Sequence, residues 1–394
     1  MTSYDYLILG GGQVSDDASR AIRELDADGT IGILSTDVDG PYTRPALSKK
    51  LWTDPSFDED QVPLGTAEDT GADLRLETRV ERIDRDAHEV VLADGSRVGY
   101  GKLLLATGSE PQGIPGSEDD SVIVFRDFAD YRRLRELAGK GSCAVVLGGG
   151  YIGSELAAAL VQNGVDTTLV FPQEILGGGL FPRRLAERHQ QLFEEAGVHL
   201  VPGRRATAAR RRDDGTLEVS LEDGSTLETD TVVVGLGATP RVDLAAAAGL
   251  EVTEGVVVDA RLRTDDPAIW AAGDIVEYPD AILGRTRVEH VDHARESGRA
   301  AGLSMAGDDA PYDHTPYFYS QLFDLHWEAI GRLDGGLRTR QVDLGEDRVV
   351  VYYLDEQKRP VGVLLWNVDG ARDSARQVLA DAPTDPDQLD ERIR

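Results

Sequence analysis

Apolar residues fall along this chain in short runs that end in glycines, and one such arrangement occurs twice. Tyr6-Leu-Ile-Leu runs into Gly10-Gly11-Gly12, and Ala144-Val-Val-Leu runs into Gly148-Gly149-Gly150. Helix-compatible stretches follow at 18–25 and 154–162, then second apolar runs at 31–34 and 167–171. That order predicts a βαβ unit, in two copies. The copies continue alike. Asp94-Gly95-Ser96 precedes Leu103-Leu-Leu-Ala106-Thr107-Gly108, and Asp223-Gly224-Ser225 precedes Val232-Val-Val-Gly-Leu-Gly237. The last Gly stands fourteen positions after the Asp in both. The Asp-Gly pairs predict hairpin turns beside alternating segments at 89–92 and 217–221. Each copy is therefore expected to be a βαβ unit, a small antiparallel meander and a returning strand. Two dinucleotide-binding folds imply two dinucleotides, or one dinucleotide and a relic.

The pattern then changes. Ile269-Trp-Ala-Ala-Gly273-Asp274 reads as a strand ending in a turn, and 291–305 as a helix. From about Pro311 come aromatic strand-like segments at 316–322, 349–354 and 361–366, then a short helix at 371–379. These predict a third, smaller α+β domain. The acidic tail beyond Pro383 is expected to fray. The predicted class is α/β, with two Rossmann-like domains and a C-terminal α+β domain.

Composition narrows the function. The 394 residues are too many for one domain of ~100–200. Apolar residues make up 41%, enough for true cores. The net charge of −30 disfavours nucleic acid and anionic membrane surfaces. Cys143 is the one cysteine, which excludes an intrachain disulfide and a cysteine metal cluster. The N-terminus has no signal-peptide pattern and no run approaches ~20 apolar residues, so a cytoplasmic protein is expected. Only five of the 41 basic residues are lysines, at 49, 50, 102, 140 and 358. This acidic, lysine-poor composition fits a halophilic cytoplasm or a GC-rich genome, the first being favoured.

The glycine motifs carry chemistry. In Gly10-x-Gly12-x-x-Ser15, Gly10 permits the turn, Gly12 lets a pyrophosphate approach, and small Ser15 permits close packing. The helix N-terminus then offers free N–H groups. Asp37, just past the next strand, is the candidate ribose ligand. Gly148-x-Gly150-x-x-Gly153-x-Glu155 has all three glycines, and its next strand ends near Gln173-Glu174. An acid there favours NADH over NADPH, while Arg183 and Arg184 speak for NADPH. Asp274 can bind a hydroxyl-rich chain or act as an ordinary N-cap. Pro41 to Trp52 holds two of the five lysines and suggests a loop laid across an anionic cofactor. His290 and His293 share i, i+3 spacing, but no cluster accompanies them and no metal is expected. His189, His199, His314 and His326 are expected to be ordinary packed or surface residues.

With these motifs the chain resembles flavin-dependent pyridine nucleotide reductases of the glutathione-reductase structural class, and within it the apoptosis-inducing-factor-like oxidoreductases. The resemblance rests on PYTRPALSKKLW (41–52), GGGYIGSELAAAL (148–160), IWAAGDI (269–275), RVEHVDHARESGR (287–299), WEAIG (327–331) and VGVLLWN (361–367). It implies a discontinuous FAD domain (1–119 and 238–308), an NAD(P)H domain (120–237) and a C-terminal domain (309–394) that covers the flavin and mediates dimerisation. Implied FAD-binding residues are Gly10, Gly12, Ser15, Asp37, Arg44, Lys49, Val80, Ala106, Thr107, Gly108, Asp274, Glu289, His290 and Tyr319. Implied NAD-binding residues are Gly148, Gly150, Tyr151, Ile152, Gly153, Glu155, Gln173, Glu174 and Gly237. Lys49 is implied to lie beside the flavin ring and pair with Glu155, with Tyr151 and His290 contacting nicotinamide and flavin.

The family usually carries Glu at Thr36, an acid at Gln173 and an aromatic, often Trp, at Tyr319. The long insertion of the animal proteins is absent, as is their basic surface. Residues 38–52 contain no cysteine, so electrons are expected to leave the flavin directly. The activity implied is hydride transfer from NADH, with NADPH possible, to flavin N5, then passage to a quinone, an iron–sulfur or rubredoxin-type carrier, or dioxygen. Rival expectations are a dedicated ferredoxin or rubredoxin reductase, a redox-gated NADH-sensing binding protein with poor turnover and reduction-dependent dimerisation, and a protein that has lost its cofactor.

Overall fold

A computed structural model describes residues 2–394. The chain divides into two compact units. The first comprises Met1–Thr43, Glu59–Glu110 and Pro240–Phe318, and the second Arg44–Asp58, Pro111–Thr239 and Tyr319–Arg394.

The first unit is built on a sheet in the order Asp73–Arg75, Ile31–Leu34, Thr2–Leu9, Arg97–Leu105, with Ile269–Ala271 on the far side of Arg97–Leu105. These strands run parallel. Leu7, Ile8 and Leu9 are buried, as is every residue of Ile31–Leu34. Such unbroken apolar strands are those of a sheet covered on both faces. The meander Val80–Asp84, Glu89–Leu92, Arg97–Leu105 is antiparallel and turns at Asp94-Gly95 as the sequence predicts. Gly10 ends the first strand at φ +125°, and a Cβ there would lie 2.0 Å from the Ala106 carbonyl oxygen. The turn thus presses against the returning strand, and only glycine fits.

Helix Gln13–Leu25 packs on helix Val291–Ala306. Gly298 and Gly302 face it, four residues apart. A Cβ on Gly302 would sit 2.4 Å from the Ala18 carbonyl oxygen, and one on Gly298 2.9 Å from Val14 backbone atoms. The helix after the first glycine turn is therefore seated by backbone contact. Gly302→Ala is expected to force the helices apart at about 1–3 kcal/mol, lowering the melting temperature. A wild-type melt would contradict this packing.

The second unit repeats the plan. Its parallel sheet runs His199–Pro202, Asp166–Phe171, Cys143–Leu147, Thr231–Val234, Val122–Val124. The meander Ala206–Arg211, Leu217–Leu221, Thr226–Thr229 follows. A separate five-stranded sheet closes the chain, in the order Tyr317–Leu322, Leu325–Gly331, Pro360–Trp366, Arg348–Leu354, Arg338–Gly345. Its last four strands pair antiparallel. Trp327 and Trp366 are cross-strand partners, both buried, each with Phe181 edge-on at 5.5 and 5.4 Å. Helix Arg372–Asp381 follows.

Two Rossmann-like parallel sheets and a C-terminal antiparallel domain are thus present. The tail differs from expectation. Leu389 and Ile393 are buried, Arg340 pairs with Asp390, and Arg392 bonds Asp381 at 2.8 Å. Two apolar anchors and two ion pairs outweigh the fraying expected from acidic composition. Strand Arg338–Gly345 and the amphipathic helix Arg183–Glu195, which buries Leu185, Ala186, His189 and Phe193 on one face, add to the elements expected from the sequence.

Candidate active site

In the first unit the functional side chains gather at the carboxyl ends of the parallel strands. Gly12 caps helix Gln13–Leu25 without any side-chain hydrogen bond, and a Cβ on it would meet nothing within 4 Å. The space beside this helix N-terminus is therefore open, which fits the approach of a pyrophosphate. Ser15 is fully buried and its Oγ donates to the Gly12 carbonyl at 2.6 Å. Asp37 lies past the end of strand Ile31–Leu34, where it accepts from Tyr42 Oη at 3.1 Å. Thr36 is exposed. Val80 starts the meander, opposite Leu92.

The returning strand leads into Ala106, Thr107 and Gly108, and Thr107 Oγ1 donates to the Arg241 carbonyl at 2.7 Å. Asp274 sits in the turn Gly273–Ile275 and accepts from Ser109 Oγ at 3.0 Å. Arg287 bonds the Asp274 carbonyl at 3.1 Å and pairs with the exposed Glu289 at 2.5 Å. His290 is the N-cap of helix Val291–Ala306, and its ring stacks on Phe318 at 4.3 Å. Removal from water outweighs Asp274 and Asp292 and lowers its pKa to about 4. A neutral imidazole thus stands at a helix N-terminus, whose partial positive charge suits an acceptor of electrons.

In the second unit Gly150 caps helix Tyr151–Gln162, again without a side-chain bond and with open space at its Cβ position. Gly148 has φ +111°, and a Cβ on Gly153 would lie 1.9 Å from the Gly148 carbonyl oxygen. One glycine leaves room for a ligand while the others let helix and strand touch. Tyr151 and Ile152 are exposed at the turn, and Tyr151 lies 5.7 Å from the Trp327 ring. Gly237, three residues past strand Thr231–Val234, has φ +97°, and its carbonyl accepts from Gln112 N. Gln173 and Glu174 are both exposed past strand Asp166–Phe171. Arg184 points elsewhere, toward Asp343 at 3.8 Å, and Arg183 pairs with Glu187.

The same unit holds a buried ion pair. Lys49 Nζ lies 2.7 Å from Glu155 Oε2, with side-chain exposures of 17% and 2%. Lys49 leaves the 3-10 turn Arg44–Ser48, which Trp52 clamps by donating from Nε1 to the Leu47 carbonyl at 2.7 Å. Arg44 holds the start of that turn by donating to the Arg126 carbonyl at 2.8 Å. Glu155 comes from the second turn of the helix after the glycines. Tyr319 supplies a ring 5.4 Å from Lys49 Nζ. Ser48 and Ser320 also donate to Glu155. Neither serine carries a sequence signal that marks it, although Ser48 adjoins Lys49.

Residues 4–298 match the family model described as pyridine nucleotide-disulphide oxidoreductase. The chain belongs to this family. It is 34% identical to monodehydroascorbate reductase 5 of Oryza sativa subsp. japonica (92% of this chain, 79% of that one). It is 34% identical to the anthranilate 1,2-dioxygenase system ferredoxin–NAD(+) reductase component of Burkholderia cepacia (99% and 97%). With apoptosis-inducing factor 1 of Dictyostelium discoideum it shares 32% (95% and 78%). The crystal structure of the covalent putidaredoxin reductase–putidaredoxin complex superimposes with a TM-score of 0.89 at 26% identity (99% and 96%).

As an oxidoreductase of this family, the chain uses FAD and a nicotinamide nucleotide. Its single cysteine leaves no pair for a redox disulfide. Among the described residues no helix is long and apolar enough to cross a membrane.

Two further histidines are buried outside the nucleotide turns. His189 sits among Phe181 and Phe193 rings at 5.4 and 5.1 Å, and burial lowers its pKa to about 4. His293 stacks on Tyr278 at 4.6 Å, and burial lowers its pKa to about 3. Both are neutral when folded, whereas the unfolded chain takes up their protons near pH 6.5. Their contribution is complete above that pH and is lost as pH falls toward 4. The urea midpoint is expected to drop between pH 7 and pH 5. A flat profile would contradict these placements.

Proposed function

We propose that this protein oxidises NADH at FAD and delivers the electrons directly to a small ferredoxin-type iron–sulfur carrier. The observation that carries the reading is the buried Lys49–Glu155 pair in a site without a redox cysteine. Bound FAD would supply hydride acceptance at N5 and stepwise release of electrons.

The chain's own residues would do the rest. Gly10, Gly12, Ser15 and the helix N-terminus hold the FAD pyrophosphate, with Asp37 toward the adenosine ribose and Asp274 toward the ribityl hydroxyls. Gly148, Gly150 and Gly153 hold the nicotinamide nucleotide. Lys49 directs N–H donors at the flavin, Glu155 orients it, and Tyr151 and His290 pack against the rings. NADH is favoured over NADPH. Arg204, whose N–H bonds the Phe171 carbonyl at the strand end, is occupied by Asp223 at 2.5 Å, while Glu174 nearby repels a phosphate.

The ferredoxin-type acceptor is supported by likeness to the Burkholderia ferredoxin–NAD(+) reductase component, at 34% identity, and to the putidaredoxin reductase chain of the putidaredoxin complex, at a TM-score of 0.89. The rice relative supports a second acceptor, an organic radical that also takes one electron. The test is anaerobic stopped-flow with NADH and NADPH, then turnover with a [2Fe–2S] ferredoxin, monodehydroascorbate, a quinone and dioxygen. Rapid reduction by NADH and fastest turnover with the ferredoxin are expected, rising with salt if the carrier is acidic. Fastest turnover with another acceptor would overturn the assignment. Slow turnover with all four would support a sensing role.

A further inference from the structure

Glu155 is held by more than its lysine. Its Oε2 accepts from Lys49 Nζ at 2.7 Å and from Ser48 Oγ at 2.6 Å, and its Oε1 accepts from Ser320 Oγ at 2.7 Å. Glu155, Ser48 and Ser320 are each at most 4% exposed. The three donors come from two parts of the chain far apart in sequence: the 3-10 turn Arg44–Ser48 with the residue after it, and strand Tyr317–Leu322. Tyr319, the neighbour of Ser320, places its ring beside Lys49. One strand thus touches both members of the pair.

We propose that Ser48 and Ser320 are positioning residues that fix how the Lys49 ammonium divides its protons between Glu155 and the flavin. The proposal rests on the reading of Lys49 and Glu155 given above. A carboxylate offers about four lone-pair sites, and an ammonium three N–H donors. With Oε1 held by Ser320 and Oε2 shared with Ser48, Glu155 cannot turn both oxygens toward Lys49. The ion pair stays single-pronged, and the other N–H groups of Lys49 remain for a ligand. Hydrogen bonds to a charged group are the stronger kind, so the hydroxyls hold this orientation firmly. Without Ser320 the freed oxygen would swing to Lys49 and draw its protons away from the flavin.

The test uses FAD-bound protein. Ser320→Ala and Ser48→Ala are each expected to retain FAD and to slow reduction by NADH about tenfold. Ser320→Thr, which keeps the hydroxyl, should recover most of the rate. In a Lys49→Ala background either serine change should add no further loss, because its effect passes through Lys49. A second readout is independent of activity: in thermal melts, Ser320→Ala and Glu155→Ala should be clearly non-additive.

A wild-type rate in Ser320→Ala would overturn the proposal. So would an undiminished loss in the Lys49→Ala background, or strictly additive melts. If Lys49→Ala is slow while Ser320→Ala is normal, the serine proposal fails alone. If Lys49→Ala reduces at the normal rate, the underlying reading of Lys49 fails and takes the serines with it.

Discussion

Gly150→Val is expected to give a folded, yellow protein that NADH can no longer reduce. Gly150 has φ −81° and ψ −169°, an extended conformation that valine adopts freely. A Cβ at this position meets no protein atom within 4 Å, so the fold has no reason to change. The added methyls would fill the space beside the bare helix N-terminus, where a pyrophosphate must approach. Nucleotide affinity should fall by at least about a hundredfold, on the order of 3 kcal/mol. The neighbouring glycine behaves otherwise. A side chain at Gly153 would collide with the Gly148 carbonyl and break the unit itself. The check is NADH titration monitored by flavin bleaching, with FAD content measured by absorbance. Loss of FAD in Gly150→Val would mean the two glycine turns are assigned to the wrong nucleotides. Normal affinity would mean that no nucleotide binds there.

Lys49→Ala is expected to slow flavin reduction by about 10²–10³ and to weaken the NADH complex while FAD stays bound. Two effects combine. A donor aimed at the reacting ring is lost, and Glu155 is left buried without its counter-charge. Breaking a buried pair from one side costs about 3–5 kcal/mol, so the melting temperature should fall as well. The double variant Lys49→Met/Glu155→Gln separates the two. It removes both charges, should restore much of the stability, and should stay slow. If rate and stability recover together, Lys49 serves the fold and not the reaction. Unchanged reduction in Lys49→Ala would remove the lysine from the mechanism altogether.

The signals that were legible in the sequence are local ones. Gly10, Gly12, Gly148, Gly150 and Gly153 stand in fixed order between an apolar strand and a helix, and the backbone geometry of that turn depends on adjacent residues. The Asp-Gly hairpins are local in the same way, and both meanders form where they are predicted. Lys49 and Glu155 were paired only through family resemblance, because no periodicity links residues so far apart. Ser48 and Ser320 were invisible as partners. They reach Glu155 across 107 and 165 residues of chain, and a serine's hydroxyl looks the same in sequence whether it meets water or a buried carboxylate. The Gly298–Gly302 face was hidden too. Glycines in a helix read as weak propensity until another helix backbone lies against them.

By itself, then, the sequence determined the two nucleotide turns, the alternation of strand and helix around them, and the absence of a redox cysteine pair. Each follows from short-range sterics or from composition. The tertiary structure alone decided that Ser48 and Ser320 join Lys49 on the Glu155 carboxylate, that Trp327 backs Tyr151, and that the acidic tail docks through Leu389 and Ile393. Such contacts depend on where distant segments are brought by the burial of their apolar faces. Burial is a property of the assembled unit, and no single stretch of the chain encodes it.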